Sequence, residues 1–235
     1  MANEVIKSAD EIKRWRKLGN RLRLSILLLL LFLIILYLVL KVIYSDSNFV
    51  VSLKTNDSLE SGLAIYESLY DRTPKRILKA KSLQFMDNIT EKWLPDNIDD
   101  EYDGSHNGEN YIAYTFYIEN QSSDTFNYWY SVTVEDVVKN VDEAIRIKIF
   151  LNGEATVYAK GSSLDGSPEE GTTKFRDDED GDIILEQRTR LDPGNIDRMT
   201  VVIWIEGNDP ECVDALIGGE MLMHMDITEE HIKSN

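Results

Sequence analysis

The apolar and polar positions divide the chain into three parts. Residues 24–44, LSILLLLLFLIILYLVLKVIY, are apolar on every side and carry one charge, Lys41. A helix satisfies its own backbone hydrogen bonds, and one of this length spans about 30 Å, the thickness of a bilayer's hydrocarbon core. The run exceeds the usual apolar region of a cleaved signal and has no small-residue site after it, so it predicts one retained membrane-spanning helix. Residues 1–23 are short and basic, with Trp15 and Leu18 among the cations as an amphipathic stretch suited to the inner headgroup layer. Beyond the apolar run the period changes to two.

Residues 49–54 (FVVSLK), 63–70 and 77–85 are the first strand candidates, and 94–108 is a loop rich in Pro, Gly, Asn and Asp. From 110 onward the alternation is strong. Ile112, Tyr114, Phe116 and Ile118 share one face, and Tyr128, Tyr130, Val132 and Val134 share another. The polar connection 120–124 predicts that these two strands form a hairpin, followed by a short link at 135–140. In 144–151, Ile145, Ile147, Ile149 and Leu151 face inward and Arg146 and Lys148 outward; Asn152-Gly153 then predicts a tight hairpin to 154–160. After a long loop, 161–182, come a strand at 183–191 and a nearly continuous apolar one at 198–205, expected to be central. Asp209-Pro210-Glu211 reads as the start of a short helix that Gly218-Gly219 stops. Met221, Met223, Met225 and Ile227 line one face of a last strand, 220–227. Eight or nine strands with little helix beyond the apolar run predict a mainly β, antiparallel two-layer sandwich, jelly-roll-like in form.

Charge sets the orientation. Arg14, Arg16, Lys17, Arg21 and Arg23, with Lys7 and Lys13, face only Glu4, Asp10 and Glu11 before the apolar run. The positive-inside rule therefore puts the N-terminus in the cytoplasm and the sandwich outside. The expected organisation is a basic segment at 1–23, a membrane helix at 24–44, a linker at 45–48, a sandwich at 49–228 and a tail at 229–235. The whole chain carries a net charge of −17, and its basic leader makes the remainder more acidic still. Such a domain repels nucleic acid, which leaves the membrane and other surface or membrane proteins, including further copies of itself, as expected partners. Arg72, Lys75, Arg76, Lys79 and Lys81 form the one basic island beyond the apolar run. A single cysteine, Cys212, excludes an intrachain disulfide, so the domain relies on its core. Cys212 reads as a small buried residue packing the short helix on the sheet.

No catalytic residue is assigned. The three histidines, His106, His224 and His231, form no H-E-x-x-H motif, and neither a triad spacing nor a nucleophile elbow is present. No cofactor is assigned; a weak Ca²⁺ site and a merely solvated acidic loop are the two readings of one stretch. The candidate Ca²⁺ ligands are Asp177, Asp178, Glu179, Asp180 and Asp182, oxygen donors clustered in a loop, although this loop does not fit the EF-hand spacing. Asp96, Asp99, Asp100 and Asp103 form a second acidic group.

YIAYTFYI at 111–118, then VDEAIRIKIFLNG, YAKG and TVVIWIEGNDPECVDALIGGEM resemble a pattern in uncharacterised membrane-anchored surface proteins of clostridia and relatives. The resemblance covers roughly 49–227, and its most specific residues are Trp204, Glu206, Gly207, Asp209, Pro210, Cys212, Gly218 and Gly219. That pattern is in turn distantly similar to the TasA and camelysin group. The resemblance implies a jelly-roll ectodomain with a structural or binding role at a cell surface. It implies as an alternative a surface peptidase of camelysin type; the membrane helix itself leaves a further alternative, the ectodomain subunit of a membrane sensor or complex.

Overall fold

The computed structural model describes residues 15, 21–37, 48–54, 62–83, 85–177 and 181–230. The chain divides into two compact units, Met1–Asp46 and Ser47–Asn235. In the first, residues 21–37 are helical with every side chain exposed. Among the described residues no helix is long and apolar enough to cross a membrane. Residues 38–44 of the apolar run lie outside the described residues, as do Arg14, Arg16 and Lys17 of the basic leader; Arg21 and Arg23 open the helical stretch.

The second unit is mainly β. In chain order its strands are β1 (Phe49–Lys54), β2 (Leu63–Tyr66), β3 (Ile77–Lys79), β4 (Gly104–Ser105), β5 (Ile112–Asn120) and β6 (Phe126–Val138), followed by β7 (Ile145–Leu151), β8 (Glu154–Ala159), β9 (Thr173–Lys174), β10 (Asp182–Leu191), β11 (Ile196–Ile205) and β12 (Glu220–Glu230). They form two sheets. One has the order β10-β6-β12-β1-β3, and the other β2-β5-β11-β7-β8-β9 with β4 also on β5. The alternation read from the sequence supplies the core. Val51, Tyr128, Val132, Met223, Met225 and Ile227 from the first sheet join Tyr114, Phe116, Ile147, Val201 and Ile203 from the second in one buried cluster.

Several expectations hold. The Asn152-Gly153 turn joins β7 and β8 with both residues at positive φ (54° and 87°), the conformation a two-residue hairpin requires. β11 is central, paired on both sides by β5 and β7. The four alternate positions of β12, Met221 to Ile227, are buried.

Others are corrected. β5 and β6 are not a hairpin; they lie in different sheets. β5 hydrogen-bonds β11 and β2 along its two edges, while its two faces are buried by the facing sheet and by the segment 89–98, and the chain crosses to the other sheet after Asn120. Nor is pairing wholly antiparallel: β12 runs parallel to β1, and β9 runs parallel to β8. The 63–70 and 77–85 candidates shrink to four and three residues, the 135–140 link is largely the end of β6, and the long loop contains β9.

A second apolar cluster lies on the other face of the seven-stranded sheet. There Trp204, Val202, Ala113 and Phe150 are covered by Ile89, Leu94 and Ile98. The covering segment, whose part from Leu94 on was expected as loop, is pinned where Ile89 N donates to Ile205 O (2.9 Å) and Gly207 N to Ile89 O (2.8 Å).

Candidate functional site

The residues that carry the resemblance converge at one end of the sheets, in the β11–β12 connection. Trp204 is fully buried, and its indole N–H donates to Glu206 Oε2 (3.0 Å). The same oxygen accepts from Glu91 N, and Glu206 Oε1 accepts from Asn208 N. Glu206 thus ties the end of β11 to the covering segment. Gly219 has no room for a side chain: a Cβ there would lie 2.8 Å from Val141 Cβ and 2.9 Å from two backbone oxygens. Gly218 takes φ +72°, the left-handed region that glycine enters without steric cost.

No helix starts at Asp209. The connection turns instead, and a short 3₁₀ segment, Asp214–Leu216, begins after Val213 without a side-chain cap. Asp209 Oδ1 accepts from Glu211 N (2.8 Å), while Oδ2 takes Arg146 Nη2 at 2.5 Å. The two side chains are 0% and 5% exposed, a buried ion pair. Sequence alternation put Arg146 on the solvent face of β7; it is buried because the β11–β12 connection returns over it, and no local signal marks that return. Cys212, expected to be buried, is half-buried, and Asn88 Nδ2 donates to its Sγ at 3.2 Å. Pro210 sits in the turn, not in a first helical position.

Glu169, Asp209 and Glu211 bring a carboxylate oxygen each within 4.8 Å of one another. Burial pushes the Asp209 carboxyl up. Glu211 lies outside, accepts from Ser163 N and Oγ (2.9 and 2.7 Å), and is held down to about 2 chiefly by those bonds. Burial and then the Asp209 charge push Glu169 up. These three are the described residues with the spacing to hold a cation, but Arg146 already supplies the positive charge at Asp209.

Beside this junction the two sheets part around a cavity of about 410 Å³. Two crossing segments bound it. In one, Leu83 N bonds Asn48 Oδ1 (3.1 Å) at the five-stranded sheet, and Ile89 bonds β11 of the other sheet. The other is the stretch from Cys212 to Glu220. The floor is core: Ile112, Ile145, Ile203, Met221 and Met223.

A polar group that the sequence reading missed sits on β1 and β12. Ser52 pairs in register with Asp226. Its hydroxyl donates to Asp226 Oδ1 (2.6 Å) and lies 2.8 Å from His224 Nε2, which itself meets Asp226 Oδ1 at 2.8 Å. Lys54 pairs with the other Asp226 oxygen, and a bulge in β6 brings Glu135 to 3.3 Å from His224 Nδ1. Burial would raise the Asp226 carboxyl, but the bonds from Lys54 and Ser52 outweigh it and hold it below its ordinary value. Because the Ser52 proton points to a carboxylate and this face is a continuous β ladder, the group ties β1 to β12. The period-two spacing of Ser52/Lys54 and His224/Asp226 was the signal available.

Of the candidate Ca²⁺ ligands in the loop, two are described. Asp177 pairs with Lys174 (3.0 Å), and Asp182 accepts from Thr133 Oγ1 (2.6 Å); Asp178, Glu179 and Asp180 lie outside the described residues. In the second acidic group, Asp100 pairs with Arg198 (2.7 Å) and Asp103 accepts from Tyr117 OH (2.5 Å).

No family model and no curated protein matches the sequence. Among solved structures the chain is similar to a β-glucosidase from Kluyveromyces marxianus at 13% identity and a TM-score of 0.25, over 74% of this chain and 16% of that one. The same enzyme in complex with glucose is matched at 13% identity and a TM-score of 0.24, over 69% and 16%. Likeness at that level carries no argument about fold or activity.

Proposed function

We propose that this chain is a membrane-anchored module of a bacterial cell surface, structural or binding in role, which assembles with itself or with other surface proteins. The carrying observation is the apolar run 24–44, set between a basic leader and an acidic remainder. Its two sheets with a shared core fit a jelly-roll-like sandwich, the form that the resemblance to anchored clostridial surface proteins implies. Assembly has a surface to use. β10 is the longer of the two outer strands of its sheet; among the described residues its ladder partner is β6 on one side, and on the other only Ile183 at its start is engaged, where Ile183 O accepts from Arg176 N (2.9 Å). A strand edge of that kind accepts a further strand by backbone hydrogen bonding.

Two experiments on the full chain in a Gram-positive host test this reading. Alkaline carbonate should leave the protein in the membrane pellet, and protease added to intact cells should remove the acidic domain. Release by carbonate, or full protection from protease, overturns the anchored topology. A photo-crosslinker at exposed Gln187 on β10 should yield a discrete larger adduct on intact cells. A monomer alone overturns assembly through this edge.

A further inference from the structure

We propose that the cavity between the sheets binds a small amphipathic cation, its apolar tail on the core floor and its ammonium head at the mouth. The inference is independent of where the chain resides. The volume, about 410 Å³, falls in the roughly 300–1,000 Å³ range of small-molecule sites. The interior is apolar from both sheets, and Met86, Met221 and Met223 give it thioether walls that adapt to a tail's shape. Apolar side chains also reach the mouth: Phe85, Val213 and Ile217 are 63%, 53% and 65% exposed. Three large apolar side chains around an opening into the core are a surface that an apolar ligand would cover.

Charge selects the head group. Asp87, Asp214 and Glu220, all exposed, carry the charge of the lining, and among the described residues no Lys, Arg or His belongs to it. Lys139, outside the lining, donates to the carbonyl of Ile217 at the roof (2.5 Å) and offsets one of these three charges, which leaves the rim net negative. An ammonium is attracted to such a rim and a carboxylate repelled, so a fatty acid is disfavoured and an alkylamine favoured.

The chain's only cysteine, Cys212, lines the cavity and reports on it. The full chain in lipid nanodiscs is alkylated with N-ethylmaleimide, followed by mass, against increasing octylammonium. The labelling rate should fall saturably, about threefold at twice the dissociation constant by mass action, with octanoate and tetramethylammonium without effect. The triple variant Asp87→Lys/Asp214→Lys/Glu220→Lys, altered only at exposed positions, should reverse the preference towards octanoate. Saturation-transfer NMR on the octyl methyl group gives a readout without the thiol, with empty nanodiscs as blank. An unchanged labelling rate with no transfer above the blank overturns the proposal. So does equal protection by octanoate in the parent chain. Protection that needs no ligand and disappears on dilution also overturns it, since a second copy then fills the cavity.

Discussion

The two ends of the β unit are built differently. At the end where β5 finishes, Asn120 is fully buried and seals the gap with its side chain. Its Nδ2 donates to Asp124 O and Leu191 O (2.8 Å each), its Oδ1 accepts from Ser122, and its carbonyl accepts from Gly194 N. Near it Asp197, 3% exposed, gathers Tyr128 OH, Asn152 Nδ2 and Arg188 Nε, at 2.9, 2.8 and 3.0 Å. Burial, then the Asp197 charge, raises the Tyr128 phenol well above its ordinary value, so it stays a donor. At the opposite end, where β5 begins and β11 finishes, the buried Arg146–Asp209 pair holds the β11–β12 connection, but beside it apolar side chains on two crossing segments leave the gap between the sheets open. Hydrogen bonds are directional and short, so a polar seal draws the chain tight. Apolar contact is not directional and tolerates a space of ligand size.

Stability separates these regions. Asp209→Ala should have the largest effect, about 3–5 kcal/mol, because it leaves Arg146 charged and buried; urea unfolding measures it. The double variant Arg146→Met/Asp209→Leu should recover most of that loss, and failure to do so would mean the pair is not what anchors the junction. Trp204→Ala should cost roughly as much, about 3–5 kcal/mol, since the ring is the centre of the second apolar cluster. At the sealed end, Asn120→Ala should cost about 3 kcal/mol by leaving buried carbonyls and an amide unpaired. At the open end, Ile217→Ala should change stability by less than about 0.5 kcal/mol, because that side chain is mostly in water. Equal losses at Asn120 and Ile217 would erase the contrast between the ends.

The smallest effect is electrostatic. Glu211 in the folded chain titrates at about 2, below its ordinary 4.5. Its bonds therefore stabilise the fold above that ordinary value, and the contribution is lost as pH falls towards 2. Ser163→Ala removes the hydroxyl donor and should raise the Glu211 midpoint, read by NMR titration of its side-chain carbons. An unmoved midpoint would mean that Ser163 is not the partner that lowers it.

The sequence by itself determined what depends on near neighbours. Period-two alternation marked β5 to β8, β10, β11 and β12, and Asn152-Gly153 marked their one tight hairpin, because side-chain direction and left-handed turns are local properties. The buried face of β12 followed from Met221, Met223, Met225 and Ile227 in the same way. Tertiary structure alone decided which strands are partners. β5 looked like the hairpin mate of β6, yet its edges pair with β11 and β2 and its two apolar faces need a layer on each side, a requirement met only once the rest of the chain is present. It also reassigned Asp209, which the local pattern read as a helix cap and which instead neutralises Arg146 across a sequence separation of 63. Burial of a charge depends on what folds over it, and at Arg146 the cover comes from a distant part of the chain. The cavity, Cys212 at its wall and the Ser52–His224–Asp226 group have the same origin: each is a meeting of segments far apart in sequence.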